Sequence, residues 1–357
     1  CTLRMKADFL PYHHRDRELT EREKDILRAI IQMYILSAEP IGSRFLSKYL
    51  EEHYKLSPAT IRNIMSDLED MGFIAHPHTS AGRIPTDKGY RLYVDSLMKT
   101  EHVTNQIATF VQENLQNSSR EHVLRDASKI LSSLSHYLGI VVLPNLSDVI
   151  LQRLRLIALS STRLLVVVEL QSDIVRTVTL EASFEIDYQA LDEIARLLNE
   201  KISGRPVSFL RDNFTVIIRD RLPSEANAYL RLFIDSVETL FADYTSPDEA
   251  VHIAGTQNLL EYPEFESRDR IKGVIELIEN EDLIVHILDR QDLGDNKPFV
   301  MIGSEMGSEL LNDYSVIVSH YKFGDAKGSL GIIGPRRMNY PRLVPLLTHV
   351  AQTLTGR

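Results

Sequence analysis

Up to Met98 the apolar residues recur every three or four positions in short bursts, each bounded by a capping or breaking residue, a pattern that predicts compact helices. Thr20 followed by Glu23 makes a capping box and starts a helix that runs to about Ala38, with Ile26, Ile30, Met33 and Tyr34 at core spacing. Glu39-Pro40-Ile41-Gly42 breaks it, and Ser43 caps a second helix bearing Phe45, Leu46, Tyr49 and Leu50. Ser57-Pro58 opens a third, with serine at the cap and proline at the first helical position, where its missing N–H costs nothing. Ile61, Ile64, Met65, Leu68 and Met71 are its buried stripe, and Gly72 ends it in a position that tolerates a left-handed backbone. Thr86 caps a fourth helix through roughly Met98.

Beyond it, Val103, Ile107, Phe110 and Val111 continue a helical pattern, Ser118-Ser119 interrupts it, and Val123, Ala127, Ile130, Leu131, Leu134 and Leu138 resume it. The pattern changes at Gly139. Runs at 154–160, 164–170 and 174–180, separated by short polar connectors, predict an antiparallel meander. Helices are expected near 187–202, 224–244 and 267–279, with strands at 207–210, 214–218, 283–288, 299–302, 315–321 and 329–333 and a last helix from Pro341. The meander and the late strands are expected to share one sheet, with the middle helical stretch inserted between them.

The stretch His76-Pro77-His78-Thr79-Ser80-Ala81-Gly82-Arg83-Ile84-Pro85 follows the helix pair after a short apolar piece, Phe73-Ile74-Ala75. Helices followed by a hairpin rich in Gly, Pro, Ser, His and Arg read as a winged helix-turn-helix, whose second helix enters a DNA groove while the hairpin lies along the phosphates. Ser57, Thr60, Arg62, Asn63 and Ser66 fall on the outer side of the third helix. Arg62 and Asn63 suit base edges, since Arg pairs bidentately with guanine and Asn with adenine, while Thr60 and Ser66 suit either bases or phosphates. His76, His78, Thr79 and Ser80 are expected beside phosphates with Lys88 and Arg91, and Arg83 as the charged anchor. A two-histidine metal site at His76 and His78 lacks a clear third ligand. Asp292-Leu293-Gly294-Asp295-Asn296 resembles part of a calcium loop, but its glutamate register fails and a surface turn is expected. The glycines of 302–307 lack the Lys-Ser/Thr partner of a phosphate loop.

Composition narrows the class. With 357 residues, 43% hydrophobic and 25% charged, the chain reads as an ordinary globular protein of two or three domains. No apolar run reaches the roughly 18 to 20 residues of a membrane span, and no secretory signal follows Cys1-Thr2-Leu3-Arg4-Met5-Lys6, so no membrane partner and a cytoplasmic location are expected. Opening on Cys1 instead of Met implies a start that is processed, unconventional or missing, and this single cysteine excludes an internal disulfide and a cysteine zinc cluster. The net charge of −10 is unusual for a DNA partner, but phosphate attraction is local. Residues 1–17 set Arg4, Lys6, Arg15 and Arg17 against Asp8 and Asp16, and residues 76–91 set Arg83, Lys88 and Arg91 against Asp87. A modest basic face on an acidic molecule disfavours indiscriminate nucleic-acid binding.

Pro77-His78-Thr79-Ser80-Ala81-Gly82-Arg83-Ile84-Pro85-Thr86-Asp87-Lys88-Gly89-Tyr90-Arg91 resembles the wing of the HrcA-type heat-inducible transcription repressors of bacteria. The helices from Leu19 to Met71 and the run from Gly328 to Tyr340 resemble the same family. The resemblance implies an α+β multidomain chain: a basic tail at 1–17, a winged helix-turn-helix at 18–99, a GAF-like α/β sheet domain with linker helices at 100–185 and 281–357, and an inserted dimerisation domain at 186–280. It implies a homodimer on an inverted-repeat operator (the CIRCE element) upstream of chaperone genes, and dependence on a GroE-type chaperonin to reach the active form. It names no cofactor. Leu230, Phe233, Ile234, Val237 and Leu240 follow one helix face within 226–241 and are the expected dimer contacts. Two other readings stand beside this one. One is a repressor switched by a ligand in its GAF-like pocket; the other is an enzyme built on the C-terminal sheet, for which no nucleophile, base or metal constellation is identifiable.

Overall fold

The computed structural model describes residues 18–51, 54–77, 82–118, 122–171, 174–219, 227–242, 251–288, 298–323 and 326–355. The tail at 1–17, His78, Thr79, Ser80 and the turn at 292–296 lie outside them. The chain divides into two compact units, Cys1–Met98 and Lys99–Arg357.

In the first unit, α1 (Glu21–Ser37) begins at the expected box: Thr20 Oγ1 accepts the Glu23 N–H at 3.3 Å, and the Glu23 carboxylate accepts the Thr20 N–H at 2.7 Å. Ile26, Leu27, Ile30 and Ile31 are fully buried, and Tyr34 only partly. In α2 (Ser43–Tyr49) the core takes Leu46 and Leu50, one turn apart. Phe45 and Tyr49, expected alongside them, are 59% and 54% exposed. A helix of two turns buries one stripe, and positions rotated about 100° from it face outward. In α3 (Pro58–Asp70), Ser57 Oγ accepts the Thr60 N–H at 3.1 Å, and Ile61, Met65 and Leu68 are buried.

Gly72, at φ +77°, turns the chain into a two-strand wing base, β1 (Ile74–Ala75) and β2 (Ile84–Pro85), with Ala75 opposite Ile84. Arg83 and Ile41 exchange backbone hydrogen bonds of 2.8 and 3.0 Å, tying the wing to the α1–α2 turn. Thr86 caps α4 (Asp87–Leu92), which does not continue to Met98 as one α-helix but widens into a π-helical turn over Tyr93–Leu97. Glycine is required at 89, where a Cβ would collide with the Phe73 carbonyl.

Among its described residues the second unit holds two antiparallel sheets. After α5 (Asn105–Asn117) and α6 (Val123–Ser135) comes β3 (Leu138–Asn145). It lies between β7 (Val251–Ala254) and β10 (Ala326–Pro335), followed by β9 (Tyr314–Phe323) and β8 (Phe299–Ile302). One face carries Leu138, Ile140, Val142, Val316, Val318 and Ile333. It packs on α11 (Thr256–Leu260), α12 (Arg268–Glu279) and α13 (Glu281–Leu288). The other face receives α6 and α14 (Tyr340–Thr355), and α6 comes so near β3 that a Cβ on Gly139 would strike the Ser128 carbonyl.

The meander is a separate sheet, correcting the expectation of one shared sheet. Among the described residues its strands β4 (Leu151–Ala158), β5 (Arg163–Leu170) and β6 (Val175–Glu181) form a sheet of their own. Their inner face packs on α7 (Leu191–Ile202), α8 (Val207–Arg219), α9 (Asn227–Asp235) and α10 (Val237–Leu240). The insertion therefore lies between β3 and β7 and includes the meander, rather than spanning 186–280. Alternation reports how many faces of a strand are buried but does not name its partners. Asn199 of α7 shields the β4 edge, accepting the Leu154 N–H at 2.7 Å and donating to its carbonyl at 2.8 Å.

Three expected strands are helical: 207–210 and 214–218 join in α8, and 283–288 is α13. In both, the apolar run is too short for its period to be read, and tertiary burial at positions 207, 210, 214 and 218 selects the helix. As a strand, Phe214 and Val216 would share a face. In α8, Phe214 is fully buried and Val216 is 72% exposed. Phe214→Ala should therefore cost about 3 to 5 kcal/mol in denaturant unfolding, and Val216→Ala less than about 0.5 kcal/mol. Comparable losses for the two would contradict the helix.

Candidate nucleic-acid interface

The cap at Ser57 fixes where α3 starts and therefore which side chains its outer face presents. Arg62, Asn63 and Ser66 are exposed there, and Arg62 has no ion-pair partner among the described residues. Ser57 and Thr60 serve the cap, with their hydroxyl oxygens 3.0 Å apart, and Thr60 is half-buried. A planar guanidinium and a carboxamide side by side on one exposed helix face can each pair bidentately with a base edge.

The wing's cations are placed differently from the expectation. Arg83 donates from Nε to Glu69 at 2.9 Å, with Nη2 at 2.8 Å from the same carboxylate, and a third nitrogen contacts His76 Nε2. His76 Nδ1 lies 2.8 Å from the other Glu69 oxygen. With Arg83 donating, His76 Nε2 accepts, which leaves the proton on Nδ1 facing Glu69. In this structure Arg83 braces the wing to α3, its half-buried guanidinium facing a carboxylate. His76 belongs to the same brace, and a neighbouring guanidinium opposes any metal on its ring. Lys88 remains exposed but donates to the Met71 carbonyl at 3.0 Å over the Phe73 ring, and Arg91 pairs with Asp95 at 3.1 Å. Partial burial pushes the Glu69 carboxyl up, but the His76 hydrogen bond and the Arg83 charge and hydrogen bonds outweigh it, holding it below the usual carboxylate range.

The expected dimer stripe is also occupied. Phe233, Val237 and Leu240 are buried in the insert's own core, with Leu230 and Ile234 packed against it. This correction follows from the meander: its inner face needs an apolar cover, and α9 and α10 supply it. Sequence reasoning gave no role to Arg44, Lys48 and Lys55, exposed residues beside the start of α3. The basic spacing of 44 and 48 along α2 was their signal. Among the described residues no helix is long and apolar enough to cross a membrane.

Two family models match this chain. One is described as the winged helix-turn-helix transcription repressor, HrcA DNA-binding, over residues 18–98, and the other as the HrcA protein C terminal domain, over 121–344. The chain belongs to the HrcA family. Heat-inducible transcription repressor HrcA of Chlorobium phaeobacteroides (strain BS1) is 35% identical, covering 95% of this chain and 98% of that protein. The HrcA of Chlorobium chlorochromatii (strain CaD3) is 37% identical over 95% of this chain and 97% of its own length. A crystal structure of a hypothetical protein superposes with a TM-score of 0.58 at 25% identity, covering 95% of this chain and 99% of that one. HrcA membership accounts for the winged helix in the first unit and for the mixed helices and antiparallel sheets of the second.

Because its folded pKa is depressed, Glu69 contributes stability that is complete above the ordinary carboxylate value of about 4.3 and is lost as pH falls through the folded value. Glu69→Gln should destabilise by roughly 1 kcal/mol at pH 7, and the gap to wild type should close as pH falls below about 4. Melting curves of both proteins from pH 7 to pH 3 check this; a gap independent of pH would refute it.

Proposed function

We propose that this chain represses chaperone operons by binding an inverted-repeat operator as a homodimer, through α3 and the wing of each subunit. The observation that carries the reading is the exposed pair Arg62 and Asn63 on a capped helix braced against a wing. The naming of its relatives as heat-inducible repressors supports the regulated genes. A two-fold dimer matches an inverted repeat because each copy presents the same helix to one half-site. With the α9–α10 stripe buried, the outer face of β4–β6 is the surface this reading assigns to the partner copy. Ile157 and Val175 are exposed there, Leu165 and Val167 are half-buried beside them, and Glu169 pairs with both Arg153 and Arg155. Such a partly aliphatic face suits its own two-fold copy.

Arg62→Ala should weaken operator binding by about 1 to 3 kcal/mol and relax the base preference at one position. Val175→Asp should give folded monomers with reduced operator affinity, because one half-site offers too few contacts. Binding isotherms on operator and point-mutated duplexes, with sedimentation and circular dichroism alongside, read both. Unchanged affinity and preference in a folded Arg62 variant would remove α3 from the interface, and a dimeric Val175 variant would move the partner surface elsewhere.

Heat acts, in this reading, on the folded DNA-competent dimer, which a GroE-type chaperonin returns to its active form. Operator DNA binds only that form and should raise its melting temperature by mass action. Chaperonin with nucleotide should restore operator binding to a heat-inactivated sample. A warmed protein that releases DNA while remaining folded and dimeric would replace loss of fold with a reversible conformational switch.

A further inference from the structure

The wing's charge is largely consumed inside the first unit, since Arg83 faces Glu69 and Arg91 faces Asp95. Positive charge with no carboxylate partner among the described residues lies instead beside the start of α3. Arg44 and Lys48, one turn apart on α2, and Lys55, in the segment entering α3, line a cleft of about 450 Å³ with Ser47, Tyr54 and Ser57. All three cations are exposed, and none pairs with a carboxylate among the described residues. Among the described residues lining the cleft Glu51 is the one acid, and they carry a net positive charge.

Local structure builds this cleft in advance. Positions 44, 48 and 51 fall on one side of the α2 turn, away from buried Leu46 and Leu50. Ser47 Oγ donates to the Leu56 carbonyl at 2.7 Å, holding the Lys55 segment against α2. The Tyr54 N–H donates to the Leu50 carbonyl at 2.7 Å, and its hydroxyl donates to Asp25 of α1. Ser57, at the cleft's edge, is the cap of α3. Three cations held together beside a single acid, Glu51, keep a net positive charge and repel one another mildly, an arrangement that a polyanion relieves.

Resting on the reading of this unit as a DNA-binding domain, we propose that Arg44, Lys48 and Lys55 form a phosphate clamp. They hold the sugar-phosphate backbone flanking the groove that α3 enters. The clamp sets the depth and register of Arg62 and Asn63 and carries no base preference of its own. It also explains how a chain of net charge −10 approaches DNA: the attraction is focused beside the reading helix, while the acidic remainder of the molecule discourages binding elsewhere.

The test is equilibrium binding of the full chain to an operator duplex and to a scrambled duplex across a salt series. Each phosphate left without its cation should reduce the log–log salt slope by about 0.9, which at 0.1 M salt is roughly an 8-fold weakening of affinity. Lys48→Ala with Lys55→Ala should therefore flatten the slope by up to about 2 and weaken both duplexes by the same factor, leaving their ratio unchanged. Lys48→Arg should keep the slope, and Glu51→Gln should tighten binding to both duplexes. Arg62→Ala, by contrast, should change the ratio. An unchanged slope in the folded double variant, while wild type binds the operator, overturns the clamp and leaves the cleft to an acidic protein segment. If wild type prefers neither duplex at any salt, the DNA reading itself fails and takes the clamp with it.

Discussion

The pairing of β3 with β10 is the constraint on which the second unit depends. It places Leu138 opposite Ile333 and Val142 opposite Ser329, so residues far apart in sequence must meet before the five-stranded sheet exists. Closing so long a loop costs entropy that grows only logarithmically with length, so a large insertion between β3 and β7 is tolerable. What makes it workable is that the inserted segment folds on itself, with its own sheet and helices. Because β3 is flanked by β7 on one side and β10 on the other, the chain leaves this sheet and returns to the strand beside the one it left.

The first unit depends on a smaller device. Glu69 sits at the end of α3 and reaches both His76 and Arg83, while the Arg83 backbone is bonded to Ile41. Three pieces that are separate in sequence, the α1–α2 turn, α3 and the wing, are thereby fixed to one another. The charge used for this is charge withheld from DNA. Positive residues in a DNA-binding domain thus divide into those that shape the protein and those that meet the ligand, and composition alone does not distinguish them.

That division explains which parts are legible in the sequence. Caps and stops are local, so Thr20, Ser57 and Thr86 each read as the caps they are, and the position of α3 with its exposed Arg62 and Asn63 follows. The meander is legible because its connectors are short. Strand partnership is not, since it is decided by contacts across the chain. A hint lies in the burial pattern: β6 alternates along its length, as a half-covered strand does, whereas β10 is buried almost continuously and must belong to a sheet covered on both faces. The same non-locality hides the partners of Arg83 and the partners of Phe233, because a carboxylate on another helix and an apolar sheet face elsewhere in the chain leave no mark near either residue.

The insert's core has a consequence for how this molecule opens. Among the described residues buried in that core, Ala326 alone comes from outside residues 146–241. Cooperativity in proteins follows shared burial, so two cores that share so few buried residues are expected to behave as separate foldons. The insert should then open and close as a unit while the hydrogen-bond ladder from β7 to β8 stays intact. Native-state exchange should then run in two tiers, with the tier that carries the candidate partner surface separable from the one that holds the rest of the C-terminal unit together.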